Sequence, residues 1–253
     1  MEFIVFIGLL VLLGIVCGSF FGVLADRLSV GELPTGRSRC DHCGKQLQPS
    51  DLIPVYSFLR ARGRSSCCNK PLSWWYPGIE ILTASAFVGL FLYSQNYVIT
   101  YAQLAGWYVI VSACIVIIVA DFKYHIIPDM MSVVIGISAL ALAVVDQEVV
   151  YRIGAGIVLF SIMYAMYAVT RGKGMGFGDV KFAGVMGLVL GLKDGMLALY
   201  LAFVLGGLFG IGLLLGRRAG LKSTLAFGPF LVAGMLVMLL WGGRVWLAVG
   251  KLF

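Results

Sequence analysis

The sequence predicts an all-α, polytopic membrane protein with six to eight transmembrane helices. Of its 253 residues, 60% are hydrophobic and only 12% are charged, whereas about a quarter of the residues in a soluble domain are charged. The mean hydropathy is +0.98. Apolar runs recur along the whole chain, and several reach the length of about 20 residues that a helix needs to cross a bilayer. The chain therefore has too little polar surface to cover a water-soluble globule.

The first predicted helix covers residues 3–25, and no residue between Glu2 and Asp26 is charged. This run could be mistaken for a signal peptide, but it lacks a basic n-region and further apolar runs follow it. We therefore interpret it as a retained span. Residues 26–78 then form the one sizeable segment outside the membrane, with several prolines and few long apolar runs.

Seven further spans are predicted from the remaining apolar runs, at residues 79–94, 102–120, 130–145, 152–170, 182–192, 195–216 and 226–249. The run at 182–192 is short and rich in glycine, which favours a tilted or re-entrant piece. The predicted number of spans is therefore six to eight. The chain accordingly divides into three parts: a first transmembrane helix (1–25), a small segment that contains a cysteine motif (26–78) and a transmembrane core (79–253).

The distribution of basic residues predicts the orientation, because cytoplasmic loops are enriched in Lys and Arg. If segment 26–78 is cytoplasmic, alternation leaves only four of the 19 basic residues on the opposite side: Arg152, Lys193, Arg244 and Lys251. The cytoplasmic side receives the others, among them Lys123, Arg171, Lys173, Lys181, Arg217, Arg218 and Lys222. The net charge of +7 is therefore a topology signal and does not indicate binding of nucleic acid.

Four of the six cysteines lie in the cytoplasmic segment: Cys40, Cys43, Cys67 and Cys68. A domain of this size commonly needs a metal or disulfides to be stable. Disulfides are disfavoured in the cytoplasm, so metal binding is the preferred explanation. Four thiolates are a common tetrahedral ligand set for zinc.

A glycine-rich stretch at residues 174–181 places Asp179 at the boundary of an apolar run. Glycine costs about 1 kcal/mol relative to alanine inside a helix, but it permits positive φ and close approach of another backbone. A carboxylate on such a stretch at membrane depth is a functional-site hypothesis. The simpler alternative is a turn in which the aspartate caps a helix, and the stretch alone does not distinguish the two.

Asp121 is a second intramembrane carboxylate, at the end of the apolar run 102–120. The helix dipole disfavours a negative charge there, so a functional role is favoured over a solvated interfacial aspartate. Pro128 and Asp129 suit the start of the next helix, where proline is tolerated and a carboxylate offsets the dipole. Glu80, at the start of the second span, either lines a site or is an interfacial acid.

The predicted topology brings Asp121 and Asp179 to the same face of the membrane. Asp121 ends a span that runs toward the cytoplasm, and Asp179 begins one that leaves it. Two carboxyl groups held a few ångströms apart share one proton, as in aspartic proteases. The ionised partner then takes a proton from water, which attacks a peptide carbonyl, and no metal is required. Glycines beside Asp179 would let a substrate backbone approach.

Several motifs occur in a fixed order along the chain. Asp121 is followed by Ile127-Pro128-Asp129, and Asp179 lies in Gly176-Phe177-Gly178-Asp179-Val180-Lys181. Further motifs lie at residues 18–20, 26–28, 40–44, 53–59, 62–64, 76–80 and 227–230. Each is a weak signal alone. Together they cover nearly the whole chain and resemble the bacterial type 4 prepilin leader peptidases, members of the GxGD aspartic proteases.

The resemblance implies a multi-pass endopeptidase of the bacterial inner membrane, with residues 79–253 as the peptidase core and the active site facing the cytoplasm. It implies cleavage of the leader from type 4 prepilins, or from pseudopilins of secretion systems, before a hydrophobic helix. By motif match, Asp121 and Asp179 are the catalytic pair. The same match implies five site-shaping residues: Gly176, Gly178, Pro128, Asp129 and Lys181. The implied partners are the pilin substrate and the lipid bilayer.

Many members of this family also methylate the new N-terminal amine with S-adenosylmethionine, so the resemblance implies that cofactor for methylation and none for cleavage. Members with a full cysteine motif have two CxxC pairs, and this chain departs from the pattern. Ser65 occupies the leading position of the second pair, Cys68 matches the trailing one, and Cys67 is additional. Adjacent cysteines are awkward joint ligands, and His42 is an available substitute. Zinc binding, a metal-free loop and the presence of methylation are therefore all left open.

Two other functions are weighed against this one. An ion-coupled transporter or proton relay would use the same two aspartates, because acids in broken helices bind ions. Such acids usually lie near the bilayer midplane in repeated halves, whereas both aspartates are predicted near one face. A membrane thiol oxidoreductase would use Cys40 and Cys43, and their predicted cytoplasmic location disfavours that role.

Overall fold

A computed structural model describes residues 2–32, 35–40, 42–97, 99–216 and 225–249. Over these ranges the regular structure is helical, with isolated β-bridges and no strand. The elements are α1 (Glu2–Ser29), a 3-10 helix (Pro49–Leu52), α2 (Tyr56–Arg60), α3 (Trp75–Ser94), α4 (Tyr101–Tyr124), α5 (Asp129–Val145), α6 (Val149–Thr170), α7 (Phe177–Leu215) and α8 (Gly228–Val249). The predicted all-α class is confirmed.

Within the described part of the chain, six helices are long and apolar enough to cross a membrane: α1, α3, α4, α6, α7 and α8. Helix α5 is also apolar but has 17 residues, fewer than a typical span. The predicted multi-pass architecture is confirmed. Four of the basic residues that were used to predict the orientation lie outside the described residues: Arg217, Arg218, Lys222 and Lys251.

The two spans predicted between residues 182 and 216 form one helix, α7, with a break in it. The break lies at Gly191 (φ 78°, ψ −177°), two residues before the gap expected at residues 193–194, so the two predicted segments correspond to the two parts of α7. Glycine tolerates this φ because it has no Cβ. The carbonyl of Val189, beside the break, accepts a hydrogen bond from the guanidinium of Arg152 on α6. A side chain from another helix therefore provides a hydrogen-bond donor to the backbone beside the break.

The chain forms two compact units, Met1–Thr100 and Tyr101–Phe253. In the first unit α1 packs along α3, and glycines of α1 make the approach close. A Cβ on Gly14 would lie 2.5 Å from the Cα atom of Ala84, and a Cβ on Gly18 would lie 2.6 Å from the Cα atom of Glu80. Only a hydrogen side chain permits such contacts between helix backbones.

In the second unit α7 packs against α5, α6 and α8, and α4 packs against α5 and α8. Phe182 and Met186 on α7 and Met235 on α8 are fully buried. A Cβ on Gly187 of α7 would lie 2.6 Å from the carbonyl oxygen of Ala155 on α6. Helix α7, which begins two residues before Asp179, is therefore the central helix of this unit.

Candidate active site

Asp179 lies in the first turn of α7, and only 7% of its surface is exposed. Its Oδ2 atom accepts a hydrogen bond of 3.1 Å from the backbone amide of Gly176, the residue that precedes the helix. A negative charge is favoured at this end of a helix because the first amides have no helical acceptor and the dipole is positive there. The N-cap residue is Gly176 and not Asp179, so the N-cap role weighed from the sequence is replaced by a hydrogen bond from the N-cap amide to the third helical residue.

The glycines before Asp179 permit close packing. None of Gly174, Gly176 and Gly178 has a positive φ; that conformation occurs earlier, at Gly172 (φ 71°). A Cβ on Gly178 would lie 3.2 Å from the Cβ atom of Ile127. Gly178 therefore allows the start of α7 to lie against the loop between α4 and α5.

Asp121 lies in the last turns of α4 and is 5% exposed. Its Oδ2 atom accepts a hydrogen bond of 2.8 Å from the backbone amide of Gly228, the first residue of α8. The N-terminus of α8 thus compensates for the unfavourable dipole at the end of α4. The partners are 107 residues apart in the chain. The motif at residues 227–230 was the only sequence signal for this contact, and sequence reasoning assigned it no role.

The structure brings Asp121 and Asp179 within electrostatic range of each other. Both side chains are buried, and each carboxyl group is held at a helix N-terminus, one at α8 and one at α7. Among the described residues, neither aspartate forms an ion pair with lysine or arginine. Ionising both buried carboxyl groups would place two like charges within range of each other, which is unfavourable.

The other residues matched to the site lie at the starts of α5 and α7. Pro128 is buried and precedes α5 as its N-cap, and Asp129 is the first residue of that helix. Lys181 Nζ lies 2.5 Å from Oδ1 of Asp129, so Lys181 pairs with Asp129 and not with Asp179. Both side chains of this ion pair are well exposed, so it contributes little to stability. It does connect the starts of α5 and α7.

A candidate metal site lies in the first unit, where four cysteine sulfurs come within 4.8 Å of one another. Cys40 Sγ lies 3.7 Å from Cys68 Sγ, and Cys43 Sγ lies 3.3 Å from Cys67 Sγ. Tetrahedral zinc with Zn–S bonds of about 2.3 Å separates its sulfur ligands by about 3.8 Å. The donor set and its spacing therefore fit zinc, and both adjacent cysteines lie within the group.

Two similar backbone turns build this cysteine group. In the first turn the amide of Gly44 donates to the carbonyl of Cys40, and in the second the amide of Asn69 donates to the carbonyl of Ser65. Gly44 and Asn69 both have positive φ, 68° and 57°. Ser65 therefore occupies the place in the second turn that Cys40 has in the first. The Ser65 hydroxyl lies 3.1 Å from the sulfur of Cys67, which takes the fourth position of the group.

The surroundings of the thiols differ. Hydrogen bonds from the Ser65 side chain and from the backbone at Cys43 and His42 lower the pKa of Cys40 to about 5. The Ser65 hydrogen bond also lowers the pKa of Cys67, but hydrogen bonding with Cys43 and burial outweigh it and raise that pKa to about 11. Thiolates are the metal-binding form, so Cys67 must lose its proton when a metal binds. His42 was the alternative metal ligand suggested by the sequence. Its ring contacts the backbone carbonyl of Pro71, which is not part of the cysteine group.

The multi-pass helical fold and two buried aspartates fit the class of intramembrane aspartic endopeptidases, and the comparisons with known proteins show that class. Residues 108–211, which include both aspartates, match the model of the Type IV leader peptidase family. Residues 12–94 match the model described as the Bacterial Peptidase A24 N-terminal domain. The chain belongs to the Type IV leader peptidase family.

Three relatives illustrate the match, and each is named prepilin leader peptidase/N-methyltransferase. The Aeromonas hydrophila protein is 30% identical, over 83% of this chain and 73% of its own length. The Bacillus subtilis protein is 28% identical, over 94% of this chain and 96% of its own length, and the Pseudomonas putida protein is 26% identical, over 97% and 94%. No solved structure gives a significant match. The transporter alternative is not supported, because the matched family and relatives are peptidases.

Proposed function

We propose that this protein is a prepilin leader peptidase that cleaves the leader from type 4 prepilins or pseudopilins. One observation carries the assignment: the buried carboxyl groups of Asp121 and Asp179 lie within electrostatic range and are held at the N-termini of α8 and α7. Membership of the Type IV leader peptidase family supports the same activity. The substrate class follows from the names of the relatives.

The proposed mechanism uses one ionised and one protonated aspartate. The ionised carboxylate takes a proton from a water molecule, whose oxygen attacks the carbonyl carbon of the scissile peptide bond. The protonated carboxyl group donates a hydrogen bond to the carbonyl oxygen as negative charge develops there. When the tetrahedral intermediate breaks down, the C–N bond cleaves and an aspartate returns a proton to the leaving amine. Each product then carries one part of the added water.

The active site is proposed to face the cytoplasm. The end of the second unit that holds the aspartates carries Lys123, Arg171, Lys173 and Lys181, whereas Arg152 begins α6 at the opposite end of that helix. Positively charged loops are retained in the cytoplasm. Green fluorescent protein fused after Lys173 is therefore expected to fluoresce, and alkaline phosphatase fused after Gln147 is expected to be active. The reverse pattern would place the site on the other face.

N-methylation is proposed as a second activity, because the relatives carry both activities in their names. When bound, S-adenosylmethionine provides a methyl group carried on a positively charged sulfur. One experiment tests both activities: the purified full-length protein is incubated with a prepilin, with and without S-adenosylmethionine. Intact mass spectrometry is expected to show loss of the leader in both samples and a gain of one methyl group only with the cofactor. An uncleaved prepilin in both samples would overturn the peptidase assignment.

Zinc is proposed as a structural metal held by Cys40, Cys43, Cys67 and Cys68. Mutation of a residue that hydrogen-bonds to a metal ligand typically lowers metal affinity by roughly 10- to 100-fold. Cys67→Ser is expected to weaken zinc binding by more than this, because it removes one of the four thiolate ligands. Zinc content of the purified protein and competition with a chelator measure the effect.

Two further variants make the zinc test specific. Cys17→Ser removes a thiol within α1, away from the group, and is expected to retain zinc. Adding Ser65→Cys to Cys67→Ser is expected to restore binding, since Ser65 already occupies the equivalent place in its turn. Full zinc content in Cys67→Ser alone would contradict the assignment of Cys67 as a ligand.

A further inference from the structure

The segment that connects α1 to α3 exposes a group of large apolar side chains. Tyr56 and Leu59 are three residues apart in α2 and therefore lie on the same side of that helix. Leu59 is 66% exposed, and Trp74, the N-cap of α3, is 77% exposed. Exposed apolar patches outside the membrane spans mark surfaces that bind another molecule or a membrane. The apolar patch consists of Leu52, Ile53, Tyr56, Leu59 and Trp74.

Two contacts hold α2 beside the first turns of α3, one of the helices long enough to cross a membrane. The backbone amide of Val55, which precedes α2, donates a hydrogen bond of 2.6 Å to Oε2 of Glu80. The ring centroid of Phe58 in α2 lies 4.9 Å from that of Trp74. Glu80 lies about 8 Å along the helix axis from the start of α3. Helix α2 is therefore level with the beginning of a membrane span.

The attachment of α2 to the spans is rigid. Val55 has φ 58° and ψ −50°, a conformation that is rare for a β-branched residue and persists only where the surrounding structure enforces it. Glu80 is buried, and the hydroxyl of Ser19 on α1 is its second hydrogen-bond partner. The sequence left open whether Glu80 lines a site or is an interfacial acid. In the structure its carboxyl group connects α1, α3 and the residue before α2.

Basic residues accompany the apolar patch. Between residues 35 and 78 the chain has seven basic residues and two acidic ones. Arg60 is the last residue of α2, and Arg62 follows it closely. Arg60, Arg62 and Lys70 are exposed, and none of them forms an ion pair within the part of the chain that the structure describes. This surface therefore suits an anionic partner.

We propose that residues 49–74 bind the anionic surface of the lipid bilayer, with the apolar patch among the headgroups and the basic side chains near the phosphates. Segments that lie in the membrane interface combine apolar side chains with lysine and arginine in this way. A bilayer is favoured over an acidic protein because α2 is held at the level where a span begins, and tryptophan is enriched at that level. This inference concerns the first unit and does not depend on the peptidase assignment.

The test places a photoreactive benzoylphenylalanine at position 59 of the full-length protein, which is then incorporated into lipid nanodiscs. In discs that contain phosphatidylglycerol, illumination is expected to attach a lipid to the peptide that includes position 59, as measured by mass spectrometry. In discs of phosphatidylcholine alone, the yield of this lipid adduct is expected to fall about tenfold or more, because each basic residue near an anionic surface strengthens binding about fivefold.

The control for position 59 is the same photoreactive residue at position 45. Lys45 is also exposed, but it lies in the polar turn of the first cysteine pair, between Gly44 and Gln46. Little lipid adduct is expected from position 45 in either kind of disc.

A charge variant identifies the basic residues that contribute. The combined substitutions Arg60→Gln, Arg62→Gln and Lys70→Gln are expected to lower the adduct yield in phosphatidylglycerol discs to the yield in phosphatidylcholine discs. Arg171→Gln with Lys173→Gln removes exposed charges of the other unit and is the matched control, with an unchanged yield expected. Helical circular dichroism and the midpoint of thermal unfolding show whether each variant is folded.

A measurement on the unmodified protein keeps the test decisive if a variant does not fold. Backbone amides of residues 52–60 are expected to exchange hydrogen about tenfold more slowly, or slower still, in phosphatidylglycerol discs than in phosphatidylcholine discs, because a lipid-bound segment opens less often. Amides of α6 are expected to exchange at the same rate in both.

Three results would contradict the proposal. A folded protein that gives no lipid adduct at position 59 and no slower exchange in anionic discs would overturn it. Cross-links from position 59 to the second unit or to another copy of the chain would show that the apolar patch is a protein interface. Equal adduct yields in the two kinds of disc would overturn the contribution of the basic residues.

Discussion

Replacement of either Asp121 or Asp179 by asparagine is expected to abolish prepilin cleavage, with a loss of about 1,000-fold or more. The amide can neither take a proton from water nor return one to the leaving amine. Asparagine has nearly the same shape as aspartate, and its oxygen can still accept the hydrogen bond from Gly228 or Gly176. The variants should therefore insert and fold, and the measured quantity is the rate of leader removal by the purified protein.

The matched control for this prediction is Asp146→Asn. Asp146 follows α5, its side chain is partly exposed, and it is not part of the pair formed by Asp121 and Asp179. This variant is expected to cleave prepilin at close to the normal rate. Normal cleavage by a correctly inserted Asp121→Asn or Asp179→Asn protein would show that the two-aspartate assignment is wrong.

Gly228→Ala is expected to reduce cleavage by about 100-fold, the loss that a displacement of about 1 Å causes at a reacting group. A Cβ at this position would lie 2.8 Å from Oδ2 and 3.1 Å from Cγ of Asp121. Either the carboxyl group or the start of α8 must move, and the hydrogen bond from the Gly228 amide is then weakened or lost. The turnover number should fall more than the affinity for prepilin, because the change acts on the catalytic group.

The control for Gly228→Ala is another glycine-to-alanine change in the same unit. Gly207 on α7 has no atom within 4 Å of the place where a Cβ would lie. Gly207→Ala is expected to leave cleavage unchanged and to stabilise the helix slightly. If Gly228→Ala cleaves prepilin as fast as Gly207→Ala does, the contact with α8 does not position Asp121.

Most of the helices could be predicted from the sequence, because a membrane span is specified locally. In the bilayer every backbone polar group must be satisfied within the segment, so a long apolar run is almost always a helix. The one displaced boundary, in α7, has the same explanation. The gap predicted at residues 193–194 lies two residues after the break, which occurs where Gly191 can adopt φ 78° and where Arg152 of another helix contacts a carbonyl.

The candidate residues were likewise available from the sequence, since Asp121, Asp179 and the four cysteines stand in recognisable motifs. Their contacts were not. Lys181 forms an ion pair with Asp129 of α5. Its position in the sequence, two residues after Asp179, did not predict this partner. Cys67 joins the cysteine group because Ser65 takes the place that Cys40 has in the other turn. These outcomes depend on where separate segments meet, which spacing along one segment does not specify.

By itself, the sequence determined the class of fold and the order of the spans and proposed the two aspartates as candidates, because hydrophobicity and motif chemistry are properties of neighbouring residues. Only the tertiary structure decided how an aspartate at the unfavourable end of α4 is accommodated. The amide of Gly228, 107 residues further along the chain, donates to Asp121 at the N-terminus of α8. That contact exists because α4 and α8 pack together, and the dipole of the second helix offsets that of the first.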